Sequence, residues 1–232
     1  YCHMREARFI KDNGLSNNVA ILYDKSNDYS TGITDMFEKT AAEIDLNIVT
    51  KQAFTDQSNT DFSVQIQAIK SSGADLLFLP IYAQEAAYIL TQAQKLGLDV
   101  TFFGCDGLDG IIGKIGEENI SAAEGVVLLT PFAADSTDPV AAAFSSAYQK
   151  KYNEIPDQFA ADGYDVIYAI AAALQKAGVT DIEMDGFNEA MIAAMTEIEV
   201  TGATGTMTWS ADGEPTKTAT AVKIENGVYV VY

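Results

Sequence analysis

Val19-Ala20-Ile21-Leu22-Tyr23-Asp24 is an apolar run with β-branched members that stops on a carboxylate. A short run that stays apolar on both faces suits a strand inside a covered parallel sheet. The theme repeats downstream. An amphipathic stretch covers 31–44, and a partly alternating strand covers 48–54. Thr60 and Asp61 are placed to cap a helix reaching 72, with Phe62, Ile66 and Ile69 on one face. Asp75 then opens the buried run Leu76-Leu77-Phe78-Leu79-Pro80. Residues 84–96 read as a helix stopped by Gly97. A strand at 100–104, a short helix at 111–115 and a fifth strand at 125–130 follow. Short buried strands alternating with helices predict a parallel sheet covered on both faces. Right-handed crossovers make it a doubly wound, flavodoxin-like α/β lobe.

After Pro131 the texture changes. Asp138-Pro139 opens a helix to 152, with proline suited to the first turn. An Ala-rich helix at 158–177 and another at 187–195 follow, with no strand between them. The sheet these helices pack on must come from elsewhere. The end is β again: a strand at 206–209, a turn at Asp212-Gly213, then strands at 220–224 and 228–232 around Asn226-Gly227, a strong hairpin signal. The organisation predicted is an atypical start or crossover segment at 1–13, a ligand-binding lobe at 14–131, helices of a largely missing first lobe at 132–210, and a return hairpin at 211–232. The hairpin and helices are assigned to that incomplete other lobe.

The chain has 232 residues, with 14 basic and 33 acidic, for a net charge of −19. A surface this acidic repels nucleic acid, and no basic stripe offsets it. No apolar run is long enough to span a bilayer. The start lacks the basic-then-apolar order of a signal segment. Two cysteines, Cys2 and Cys105, and the single His3 leave no Cys/His zinc site of ordinary composition and no ordinary Ser-His-Asp centre. No metal and no cofactor is expected. The segment from Asp24 to Gly32 lacks the phosphate-loop pattern, and Asp106-Gly107-Leu108-Asp109-Gly110 lacks calcium-loop spacing. The acidic pair of a phosphoacceptor domain is also missing from the end of the first strand.

Ligands of open α/β sheets bind beyond the carboxyl ends of the strands. The loop after the first strand carries Tyr29, the one after the third Tyr82, and the one after the fourth Asp106 and Gly107. That set suits a small zwitterion: a carboxylate for an ammonium, tyrosine faces and hydroxyls, and a glycine that lets backbone come close. Each residue also has a plainer reading. Tyr29 fits a loop aromatic packed on its helix, Tyr82 a strand-end core residue, and Asp106 a cap for the short helix behind it. Cys105 reads as a buried small hydrophobe.

Several segments resemble the leucine/isoleucine/valine-binding branch of the type I periplasmic solute-binding proteins of ABC transporters. They are Val19 through Asp24 followed by Asp28-Tyr29-Ser30-Thr31-Gly32, Thr60-Asp61-Phe62-Ser63, Gly73-Ala74-Asp75-Leu76, Phe103-Gly104-Cys105-Asp106-Gly107, Ala123-Glu124-Gly125-Val126, Tyr164-Asp165, and the turn from Gly205 to Gly213. The resemblance covers nearly all of 14–232. It implies a non-enzyme that binds an amino acid, of branched-chain type, between two lobes outside the cytoplasm and hands it to an ABC transporter permease. By resemblance Tyr29 and Tyr82 are ligand tyrosines, Asp106 holds the ligand ammonium, and Phe159 lines its side-chain pocket. A sensor feeding a regulator or kinase is the alternative on the same fold. Two departures go with it: the first-lobe strands are missing, and residues 1–8 do not look like a crossover helix. The exposed helices should make the chain self-associate, unless it derives from a longer protein.

Overall fold

The computed structural model describes residues 5–232. Residues 1–4, with Cys2, His3 and the first part of the segment read as atypical, lie outside the described residues. Contacts divide the chain into two compact units. One runs to Thr130 and takes back Ala221–Tyr232; the other is Pro131–Thr220.

The first unit is built on strands β1 (Asn18–Asp24), β2 (Asn47–Phe54), β3 (Leu76–Leu79), β4 (Thr101–Gly104), β5 (Val127–Thr130), β8 (Thr220–Glu225) and β9 (Val228–Val231). Their order is β2-β1-β3-β4-β5-β8-β9. The pairs β1–β2, β1–β3, β3–β4 and β4–β5 are all parallel. This is the doubly wound α/β sheet expected. The order reverses between β1 and β3, and that reversal marks where a ligand crevice forms. Helices α1 (Arg5–Asp12), α2 (Asp28–Glu43), α3 (Ser63–Ser71), α4 (Ala83–Leu96) and α5 (Ile111–Ile115) complete the unit. The core is the apolar run of β1 against that of β3. Phe37 of α2 stacks on Phe78 at 4.2 Å, and both are fully buried.

Local chemistry sets the element ends. Asn27 accepts hydrogen bonds from the backbone N–H groups of Tyr29 and Ser30, fixing the start of α2. Gly97 ends α4 in the left-handed region at φ 64°. The Asn226-Gly227 turn has φ 52° and 76°, the mirror-image turn that matches strand twist.

Two expectations are corrected here. The C-terminal hairpin β8–β9 does not belong with elements of another lobe; it extends the same sheet beside β5. Ile224 N–H donates to Val126 and Gly125 N–H donates to the Ile224 carbonyl, both at 2.9 Å. Val222 and Ile224 alternate into the core, which is what draws the strand there. Residues 5–12 form a helix, although residues 1–8 did not read as a crossover helix. The signal is weak because five of those eight residues are charged, yet Glu6, Ala7 and Ile10 share one buried face at helical spacing.

The second unit holds α6 (Pro139–Tyr152), α7 (Gln158–Ala177), α8 (Phe187–Met195) and a small antiparallel pair, β6 (Val200–Gly202) with β7 (Gly205–Met207). Strand β6 has only three residues and no sequence signature of its own. Asp165 of α7 is 2% exposed and accepts from the N–H groups of Ala203 and Thr204 and from the Thr204 hydroxyl, so α7 is pinned to the β6–β7 turn. The other side of α7 is bare: Val166, Ile167, Tyr168 and Ile170 are all exposed, Ile167 by 66%.

Among the described residues no helix is long and apolar enough to cross a membrane.

Candidate functional site

Tyr29 lies in the first turn of α2, directly behind the β1 carboxyl end, not in the loop before it. Its ring stacks on that of Tyr82, with centroids 4.8 Å apart and planes within 18°. Tyr82 is the residue before α4, 44% exposed, so the strand-end core reading does not hold. The two rings flank the β1/β3 reversal.

The Tyr29 hydroxyl lies 2.7 Å from Asp106 Oδ1 and 3.4 Å from Cys105 Sγ. A phenol has one proton, and the anionic carboxylate is the stronger acceptor, so the proton goes to Asp106. The same oxygen accepts the Gly107 N–H at 2.8 Å. A side chain at 107 has no room: a Cβ would lie 2.6 Å from the Tyr29 oxygen and 2.7 Å from the Ile81 carbonyl. Gly107 is therefore a close-approach glycine. Burial, then the neighbouring Cys105 and Asp106, raises the Tyr29 pKa and keeps the phenol protonated. Asp106 opens the short 3-10 turn Asp106–Leu108, and α5 starts behind Gly110 with no side-chain cap, so Asp106 is not the helix cap considered from sequence. Cys105 is buried and free, as read.

The structure thus gathers Tyr29, Tyr82, Asp106 and Gly107 at one rim. Phe159 is on the first turn of α7, in the other unit, 49% exposed; a ligand role for it rests on resemblance alone.

A cavity of about 220 Å³ opens beside Tyr82. Asp24, Asn27, Asp56, Asn59, Tyr82 and Glu85 contribute to its wall, and among the described residues no basic one does. Its polar groups are partly tied to each other: Asp24 Oδ1 accepts the Ser26 N–H, the Ser26 hydroxyl accepts the Asp56 N–H, and Asn59 donates to Glu85. Sequence reading passed over this wall because its members come from three separate segments.

Glu6 was also passed over. It is only 4% exposed, and its Oε2 has no hydrogen-bond partner. Burial pushes its pKa up to about 7, and the nearby Asp106 charge pushes the same way. A signal existed: Glu6 and Ile10 are four residues apart, so both point to one helix face. Among the described residues no group of three or more His, Cys, Asp or Glu could hold a metal ion.

A doubly wound sheet with its order reversed at β1/β3, extended by a C-terminal hairpin and joined to a helical second unit, defines the type I periplasmic-binding class of α/β protein. The sequence pattern of the periplasmic binding protein family matches residues 4–228, and the chain belongs to that family. It is 27% identical, over 176 residues, to the leucine-, isoleucine-, valine-, threonine- and alanine-binding protein of Pseudomonas aeruginosa. That match covers 76% of this chain and 46% of the relative. Among solved structures, the leucine-binding protein LivK of Thermotoga maritima superposes with a TM-score of 0.87 at 25% identity, over 99% of this chain and 63% of that one. The branched-chain amino acid transporter substrate-binding protein LivJ of Streptococcus pneumoniae, solved with isoleucine, gives 0.83 at 26%, over 96% and 61%. The chain spans about half the length of the curated relatives it matches. By name these relatives are amino-acid-binding proteins.

Proposed function

We propose that this chain is the ligand-holding part of an extracytoplasmic solute-binding protein that delivers an amino acid, of branched-chain type, to an ABC transporter permease. The observation that carries the reading is the Tyr29–Asp106–Gly107 cluster beside the exposed Tyr82 ring, at the reversal of strand order. Asp106 receives the ligand ammonium through a charge-assisted hydrogen bond. The Tyr82 face packs on the ligand's apolar part. No bond is made or broken; affinity comes from desolvated pairing in a shaped site. The names of the relatives support the amino-acid class. Isothermal titration with a panel of amino acids is the test. Leucine, isoleucine or valine should bind; no heat from any amino acid or close analogue overturns the reading.

The bare face of α7 bears on how the chain behaves alone. With Ile167 and Ile170 both exposed, an apolar stripe of this kind drives association in water. Sedimentation velocity at rising concentration should show this 232-residue chain forming oligomers. The double change Ile167→Glu, Ile170→Glu should return it to monomer. A wild-type chain that stays monomeric at every concentration sinks the expectation.

A further inference from the structure

Helix α1 acts as a cover. Phe9 packs on Phe103 of β4 with ring centroids 5.8 Å apart, and on Tyr232 behind β9 at the same distance. Strand β4 runs directly into Cys105, Asp106 and Gly107. Ala7 and Ile10 are fully buried on the inner face of the helix. The polar ties of α1 to the α2 side lie at the surface: Arg8 faces Glu43 at 3.7 Å, and Lys11 donates to the Asp45 carbonyl at 2.9 Å.

Glu6 sits on that same inner face, 4% exposed, and its Oε2 has no hydrogen-bond partner. A carboxylate kept in a protein interior is normally paired or fully hydrogen-bonded, as Asp165 is by three donors. Glu6 is neither. A glutamate in the first turn of a helix is well placed at the surface, where water and the helix dipole both favour its charge; this one is turned inward. The charged and titratable groups around it are Arg5 on its own helix, and Cys105 and Asp106 behind β4. Tyr29 of α2 reaches that cluster by its hydrogen bond to Asp106.

We propose that α1 is a proton-held latch over the end of β4: it lies closed while Glu6 carries its proton, and it opens more readily once Glu6 ionises. The reason is solvation. A neutral carboxyl stays on an apolar face at the cost of one unmet acceptor. A carboxylate there lacks both water and a paired cation, and lifting α1 returns it to water. Burial is the largest influence on this carboxyl and carries it up to about 7. The backbone N–H groups of Glu6 and Arg5 and the Arg5 guanidinium pull the other way, and the Asp106 charge adds to the burial.

With α1 open, Glu6 returns to its ordinary value of 4.5. Below that value it is protonated in both forms, and the latch has its full strength. Between 4.5 and about 7 the open form sheds its proton first, so closure weakens as pH rises. Above about 7 both forms are ionised and the loss is complete. The gap from 4.5 to about 7 weakens the closing equilibrium by about 300-fold over the whole window.

Hydrogen exchange of the ligand-free protein tests the latch. The N–H groups of Asn13 and Leu15 donate to the Phe9 and Ile10 carbonyls and report on α1. The Leu108 N–H donates to the Cys105 carbonyl and reports on the rim segment behind β4. After correction for the intrinsic rise of exchange with pH, protection in α1 should fall by about 50- to 100-fold from pH 5 to pH 8, and Leu108 should follow it. Glu6→Gln, which keeps the shape and cannot ionise, should hold its protection across that range. Carbon NMR titration of the wild-type Glu6 carboxyl is a second check that needs no variant to fold, and its midpoint should lie near neutrality. A midpoint in the ordinary carboxylate range overturns the proposal. So does a flat wild-type profile, the same profile in Glu6→Gln, or an α1 that opens while Leu108 stays protected. No ligand enters either measurement, so the amino-acid reading stands or falls by its own titration.

Discussion

Asp165→Ala lowers the stability of the helical unit by about 3–5 kcal/mol, the range for removing one member of a buried charged hydrogen-bond cluster. The carboxylate accepts from Ala203 N at 2.6 Å, Thr204 N at 2.8 Å and the Thr204 hydroxyl at 2.6 Å. All three donors meet it at a buried site: Ala203 and Thr204 are 4% and 2% exposed. Alanine strips them of their acceptor without admitting bulk water. Each orphaned donor then carries most of its desolvation cost, so the total exceeds what three ordinary exposed hydrogen bonds contribute. Asp165→Asn is a milder form. One amide oxygen still accepts, but the amide nitrogen is a donor turned toward donors. Gly202 belongs to the same arrangement, since a Cβ there would fall on the Asp165 carboxylate. Urea denaturation followed by far-UV dichroism reads the effect. A loss under about 1 kcal/mol for Asp165→Ala would show that the carboxylate does not pin α7 to the β6–β7 turn.

Why some of this was legible and some not follows from range. The starts and stops of α4, α6 and α7 are set by residues within one turn of each end: Gly97, Asp138 with Pro139, and Asp157 with Gly178. Such signals are local, and sequence carries them. The parallel sheet was legible for a similar reason, because a strand covered on both faces must be apolar throughout, as Leu76–Leu79 is. The place of β8 was not. Its alternation names a face to bury but not a neighbour, and its partner β5 ends some ninety residues earlier in the chain. Strand β6 is held by Asp165 from α7, a contact across 38 residues that no local pattern announces. At the rim, the strand-end rule found Tyr29, Tyr82, Asp106 and Gly107 one loop at a time. It did not find the hydroxyl that joins three of them, because a tyrosine's hydrogen-bond partners depend on where its ring is aimed. Glu6 was hidden for the opposite reason: a glutamate among charged neighbours reads as a solvated face, and its four-residue spacing to Ile10 was the one local hint that it is not.

Removing the carboxylate at 106 should cost the protein most of its ligand. Asp106→Ala is expected to weaken amino-acid binding by about 100-fold, the size of a lost hydrogen bond between charged partners in a partly enclosed site. Asp106→Asn should lose nearly as much, because the amide keeps the shape but not the charge that an ammonium needs. Tyr29→Phe separates the carboxylate's charge from its orientation. It keeps the Asp106 side chain but removes the hydroxyl that aims one of its carboxylate oxygens, and it takes the acceptor from the Gly107 N–H. A loss of about tenfold in affinity, together with a stability cost of about 1–2 kcal/mol for the unpaired N–H, is expected there. Asp106→Ala takes the acceptor from the buried Tyr29 hydroxyl, so it should cost about 1–2 kcal/mol of stability without unfolding the chain. Calorimetry paired with thermal melting reads both quantities on the same samples. Affinity unchanged in Asp106→Ala, with a cooperative melt, removes Asp106 from the ligand site. If Tyr29→Phe then proves the costlier of the two for binding, the ligand is held chiefly by the ring pair and the hydroxyl, and the amino-acid reading loses the charge on which its recognition of an ammonium depends.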